Sequence, residues 1–142
     1  MPVTGTLAEQ LDARLSAFWG VMGRQAHGEL SRTAAAVLAT LRDQGPQRIT
    51  TLADQETVAQ PSMTTLVTRM ARDGLVERES DPADARAVLV CITSRGRERL
   101  EARRRARTAR LEERLRALDD DERAALAAAL PVLDKLIERS TS

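Results

Sequence analysis

Between Ile49 and Thr93 two short helical patterns meet at a tight junction and lead straight into a two-stranded ribbon. The first pattern is Ile49-Thr50-Thr51-Leu52-Ala53, and the second runs from Pro61 to Met70. In the second, Met63, Leu66, Val67 and Met70 recur at helical spacing and predict one buried stripe. Thr65, Thr68 and Arg72 then face out, with Ser62, Thr64 and Arg69 on the flanks. The ribbon reads Leu75–Glu79, a charged tip from Asp81 to Arg86, and Ala87–Ile92, with Asp81-Pro82 opening the turn.

A helix that buries one face and shows Ser, Thr and Arg on the other, followed by an Arg-tipped hairpin, suits a DNA groove. The expected fold is therefore mainly α with a small β wing (α+β), a winged helix-turn-helix flanked by dimerisation helices. Short hydroxyls with an Arg reach base edges and phosphates without steric conflict. The candidate DNA contacts are Gln60, Ser62, Thr64, Thr65, Thr68 and Arg69 on the second helix, with Asp84 and Arg86 on the wing. The bland alternative for the helix residues is a solvated polar face, and Arg69 could pair with a nearby acid.

The flanks are helical too. Leu7, Leu11, Leu15, Phe18 and Met22 form one stripe on a helix from Leu7 to about Gln25, before a break at His27-Gly28. Ser31 suits the N-cap of a second helix carrying Ala35, Leu38 and Leu41 inward, and Gln44-Gly45-Pro46 stops it. Ile49 is expected as a bridge strand, with Thr50 capping the short helix after it, and Pro61 sits in the first turn of the next. Thr93 is expected to cap a long helix to about Ala117. Asp119 and Glu122 make a capping-box start for a last helix with Leu126, Leu130, Leu133 and Ile137 in one row and Pro131 inside it. These end helices have apolar rows and no partner in a compact winged core, so residues 1–30 and 97–142 are expected to dimerise, leaving 31–96 to bind DNA.

Charge is a weak guide. Residues 31–96 hold eight Arg and eight acids, while 97–117 carry nine Arg against four Glu. A net charge of +1 neither demonstrates nor excludes nucleic-acid binding, because affinity follows the local basic footprint. Phe18 and Trp19 are the only aromatics, too few for a base-stacking single-strand binder. No apolar run approaches the ~18 residues of a membrane span, and Met1 to Leu15 does not read as a signal peptide, so a cytoplasmic location is expected. Cys91 stands alone in an alternating strand and is read as a small buried hydrophobe. His27 is the only His, so no metal is assigned, and no cofactor is expected. There is no phosphate-binding glycine loop and no His-paired nucleophile, so the chain is not expected to be an enzyme.

The chain resembles the MarR family of bacterial transcription regulators across nearly its whole length. The resemblance rests on Leu52-Ala53, the run Ser62–Met70, Asp73-Gly74-Leu75-Val76-Glu77-Arg78, the run Asp84–Val90 and Thr93-Ser94-Arg95-Gly96, which come in family order. It implies a homodimer with a recognition helix in the major groove of a palindromic operator and the wing in the minor groove. Arg86 would be the wing Arg, oriented by Asp84 through a charge-assisted bond. It also implies control by a small ligand or by oxidation; the expected regulator is a repressor released by a small aromatic or lipophilic effector, for which Phe18, Trp19 and Met22 could line a pocket. The simpler reading of those three is dimer core. Two departures stand out. Glu56 and Thr57 replace an apolar residue and Gly, so the turn between the two short helices should be built differently. There is also no Cys near the N-terminus of the kind peroxide-sensing members use. The rival readings are a winged-helix interaction or scaffold protein and an effector-independent architectural DNA binder.

Overall fold

The structure is a computed structural model that describes residues 5–23 and 30–138; Gln25 and the His27-Gly28 break lie outside them. Its elements are α1 (Leu7–Met22), α2 (Arg32–Gln44), β1 (Gln47–Arg48), α3 (Ile49–Glu56), α4 (Gln60–Arg72), β2 (Val76–Asp81), β3 (Asp84–Ile92), α5 (Ser94–Arg116) and α6 (Asp120–Glu138). The chain divides within α5 into two compact units, residues 1–105 and 106–142.

The first unit holds the core. Val37, Leu38 and Leu41 of α2, Leu52 of α3, Met63 and Val67 of α4, Val76 of β2 and Val90 of β3 are completely or almost completely buried. The helices around them start and stop where local chemistry dictates. The Ser31 hydroxyl accepts the Ala34 N–H at 3.1 Å and so satisfies one of the free donors at the start of α2. Gly45 ends that helix at φ 79°, a backbone region an L side chain rarely enters. At the start of α1, the Glu9 N–H donates to the Thr6 hydroxyl, and the Thr6 N–H donates to the Glu9 carboxylate.

Two local expectations are corrected. The bridge strand is Gln47–Arg48 rather than Ile49, and Ile49 opens α3 behind Arg48, which makes no side-chain capping bond. Thr50 is therefore a first-turn residue, not the cap. The turn from α3 to α4 is also not rebuilt to avoid a left-handed residue. Thr57 itself adopts φ 54°, ψ 45°, where a Gly would sit without strain, and the Val58 N–H closes on Ala53 at 3.0 Å. A β-branched residue there costs about 1–2 kcal/mol, whereas Gly loses about 0.5–1 kcal/mol more chain entropy on folding. Thr57 is exposed, so its side chain contributes little packing. Thr57→Gly should therefore raise stability by about 0.5–1 kcal/mol, read as a higher urea midpoint at unchanged slope. A lower midpoint would show that the Thr57 side chain holds the turn.

The sheet is antiparallel with order β1-β3-β2. Val76 pairs with Ile92 and Ser80 with Val88, after which the register jumps so that Asp81 faces Asp84. Ala85, Arg86 and Ala87 fall between those two pairs. The extra residues form an irregularity in β3, and such bulges bend a strand and re-aim its side chains. The strands thus reach further than the alternating pattern suggested. The turn is only Pro82-Ala83, and Asp84 and Arg86 belong to β3 rather than to a loop tip.

The second unit comprises the end of α5 and α6. At their junction the Glu122 N–H donates to Asp119 and the Asp119 N–H to Glu122, the expected capping box. Arg123 closes the end of α5 by donating to the carbonyls of Leu115 and Leu118. Helix α6 continues through Pro131, where the missing N–H leaves one backbone bond unmade. No residue of α6 is buried, and Leu126, Leu130, Leu133 and Ile137 lie exposed.

Candidate nucleic-acid interface

Helix α4 buries Met63, Val67 and Met70 against α3 and β2 and leaves Gln60, Ser62, Thr64, Thr65, Thr68 and Arg69 in solvent. Pro61 sits in the first turn, where its missing N–H removes nothing the helix needs. The three threonines are not free rotors. Their hydroxyls donate to the carbonyl one turn back: Thr64 to Gln60 at 3.0 Å, Thr65 to Pro61 at 3.1 Å and Thr68 to Thr64 at 2.8 Å. None of the ion pairs found among the described residues involves Arg69.

A residue outside the expected set joins this face. Arg78 of β2 reaches across and donates to the Thr68 hydroxyl at 2.8 Å, tying the wing to α4. Its place in an exposed strand between Glu77 and Glu79 shows nothing of that reach.

Two aspartates shape the wing. Asp81 receives Arg48 through both Nε and Nη2, at 3.1 and 2.7 Å, while its other oxygen takes the Ala83 N–H of the turn at 2.8 Å. The Arg48 guanidinium and the Ala83 N–H hold the Asp81 carboxyl below the usual carboxylate range. Arg48 thus clamps the wing turn to the start of α3. Asp84 accepts the backbone N–H of Arg86 at 3.0 Å. The expected contact between Asp84 and the Arg86 guanidinium is therefore corrected. Asp84 fixes the chain direction at Arg86, and the guanidinium stays exposed.

The remaining candidates lie elsewhere. On α1 the rings of Phe18 and Trp19 meet edge to face at 5.8 Å, both partly exposed, and Met22 is buried. Cys91 is half-buried on β3. Burial, helped by the neighbouring Glu79 and Glu77, pushes its thiol up to about 11, so it stays protonated near neutrality. A thiol held that high carries roughly a three-hundredth of the thiolate of a free cysteine, and the greater nucleophilicity of that thiolate restores roughly tenfold. Cys91 should then react with a disulfide reagent at pH 7.5 roughly thirty times more slowly than a free thiol, speeding up as pH rises. Reaction at the free-thiol rate would mean the strand opens. Among the described residues no group of three or more His, Cys, Asp or Glu could hold a metal, and no helix is long and apolar enough to cross a membrane. His27 lies outside the described residues.

An exposed polar helix braced by a hairpin can lie in a groove while the hairpin reaches the next. Proteins of known class carry the same arrangement. The sequence model of the MarR family matches residues 30–88, which run from the start of α2 into the wing. An uncharacterised HTH-type transcriptional regulator of Mycobacterium leprae is 38% identical over 117 residues, 82% of each chain. The chain belongs to the MarR family. Among solved structures, the transcriptional regulator Tm0710 of Thermotoga maritima superimposes with a TM-score of 0.74 at 27% identity, covering 93% of this chain and 94% of that one. BpsR of Bordetella bronchiseptica, whose DNA binding is regulated by 6-hydroxynicotinic acid, shares the fold with a TM-score of 0.61 at 21% identity, over 94% and 96%. This MarR-family chain is thus a transcriptional regulator with a DNA-binding winged helix.

Proposed function

We propose that this regulator is a homodimeric repressor that reads an operator of two-fold symmetry. Residues 31–96 make the DNA-binding part, and residues 1–30 and 97–142 the dimerisation part. Gln60, Ser62, Thr64, Thr65, Thr68 and Arg69 meet the major groove, and Arg86, directed by Asp84, meets the minor groove. The observation that carries this reading is α4, which buries an apolar stripe and turns every one of those six polar residues outward.

Dimerisation draws its support from the ends. Leu7 is 80% exposed on α1, and Leu130 and Ile137 are 58% and 67% exposed on α6. Covering such rows with a second copy removes apolar area from water at about 25 cal/mol per Å². The duplex partner itself implies work in the cytoplasm. Release by a small aromatic or lipophilic effector is supported by the Phe18–Trp19 pair, with Met22 one turn on, and by the ligand control of BpsR. Trp19 is the only tryptophan, so an effector bound there would change its fluorescence.

Selection from random duplexes tests the proposal. The expected product is an inverted repeat with half-sites about one helical turn, ~10 bp, apart, bound by two chains. Asymmetric single half-sites bound by one chain, or recovery of single strands, would overturn it. The neutral charge of residues 31–96 favours a second reading, a winged-helix scaffold for protein contacts, and that reading expects no duplex to be selected.

A further inference from the structure

We infer that the middle of the recognition face of α4, at Thr64 and Thr65, is an acceptor surface that selects bases bearing an exocyclic amino group in the major groove, adenine or cytosine, against guanine. The inference rests on the proposed reading of α4 as the major-groove element and adds the chemistry of the bases it takes.

The polarity of each bond is unambiguous. A carbonyl oxygen can only accept, so the bonds from Thr64 to Gln60 and from Thr65 to Pro61 use the single proton of each hydroxyl. What each oxygen then turns outward is its lone pairs, beside a methyl group. Thr68 is committed further. Its proton goes to the Thr64 carbonyl, and its oxygen accepts from Arg78, because a guanidinium can only donate. The face therefore shows acceptors and methyls at Thr64 and Thr65. Donors flank that pair, on the exposed side chains of Gln60, Ser62 and Arg69 and on Arg78.

In the major groove adenine offers its N6 amino group and cytosine its N4 amino group, thymine offers a methyl and a carbonyl, and guanine offers only the acceptors N7 and O6. Adenine or cytosine can donate to a threonine that keeps its helix bond. Guanine would oppose lone pair to lone pair, unless the hydroxyl gave up that bond and turned round. The γ-methyl groups suit a thymine methyl on the complementary strand.

The test uses the full chain and its selected duplex. Positions read by Thr64 and Thr65 are those whose base preference changes in Thr64→Val or Thr65→Val, which keep the side-chain shape and remove the hydroxyl. At those positions, purine in place of adenine, or 2-pyrimidinone in place of cytosine, should weaken the wild-type chain about fivefold, the size of one neutral hydrogen bond. The Val variants should be indifferent to that change, and 7-deazaadenine should be tolerated by all. A guanine at these positions, base preferences unchanged in the Val variants, or loss of affinity on removing N7 rather than the amino group would overturn the acceptor surface while leaving α4 as a DNA reader. Failure to select any duplex would overturn the DNA reading and this inference together.

Discussion

Gly96→Ala should cost this protein about 3 kcal/mol of stability, the upper end of what overpacking a close contact produces. A Cβ built at Gly96 would run into the carbonyl oxygen of Leu75 and lie 2.9 Å from Cγ1 of Ile92. Neither neighbour can yield cheaply. Leu75 is buried, and its carbonyl accepts the Thr93 N–H at 3.1 Å. The Thr93 hydroxyl donates to the Gly74 carbonyl at 2.6 Å and caps α5 by accepting the Gly96 N–H at 3.0 Å. Relieving the clash pulls this cluster apart where the strands of the wing meet α5. The loss appears as a lower urea midpoint at fixed protein concentration, with exposed Ser94→Ala as a control that should change little. A Gly96→Ala protein as stable as the parent would show that α5 does not approach the α4–β2 turn this closely.

Arg86→Ala should weaken operator binding by about 1–3 kcal/mol and reduce the dependence of log K on log salt by about one unit, without altering folding. The side chain is exposed and sits in the register irregularity of β3, so its loss removes a cation from the wing and no packing. A narrow minor groove concentrates negative potential, which makes one inserted Arg worth more there than on a flat surface. Asp84→Ala should cost less, because Asp84 holds only the Arg86 backbone N–H. The two changes together should be less than additive if Asp84 acts through Arg86. Full affinity of Arg86→Ala at about 150 mM salt would remove the wing from the DNA-reading surface.

Periodicity made the helices legible. The buried residues Met63, Val67 and Met70 fall on the stripe that the spacing of α4 demands, and Ser31, Thr93 and Asp119 cap as their side chains suggest. The boundary at Ile49 was not legible, because an apolar residue before two threonines looks equally like a strand followed by a cap. The wing strands outrun their apolar alternation because Asp84, Ala85 and Arg86 pair or bulge by backbone geometry alone. Least legible were contacts distant in sequence. Arg48 and Asp81 lie 33 residues apart, and Arg78 reaches Thr68 from another element, so no local pattern announces either. The polar face of α4 could be listed residue by residue, yet the direction of its hydroxyls, which decides what it can bind, required atomic positions.

The central claim is that α4 and the wing hold duplex DNA of one sequence. An equilibrium titration of the full chain measures it, comparing the selected inverted repeat with a scrambled duplex of equal length over about 50–200 mM salt, concentrations at which phosphate contacts are strongly titrated. The selected site should be preferred at least roughly a thousandfold, with affinity falling steadily as salt rises. Equal affinity for both duplexes, or no duplex binding at the lowest salt, would contradict it.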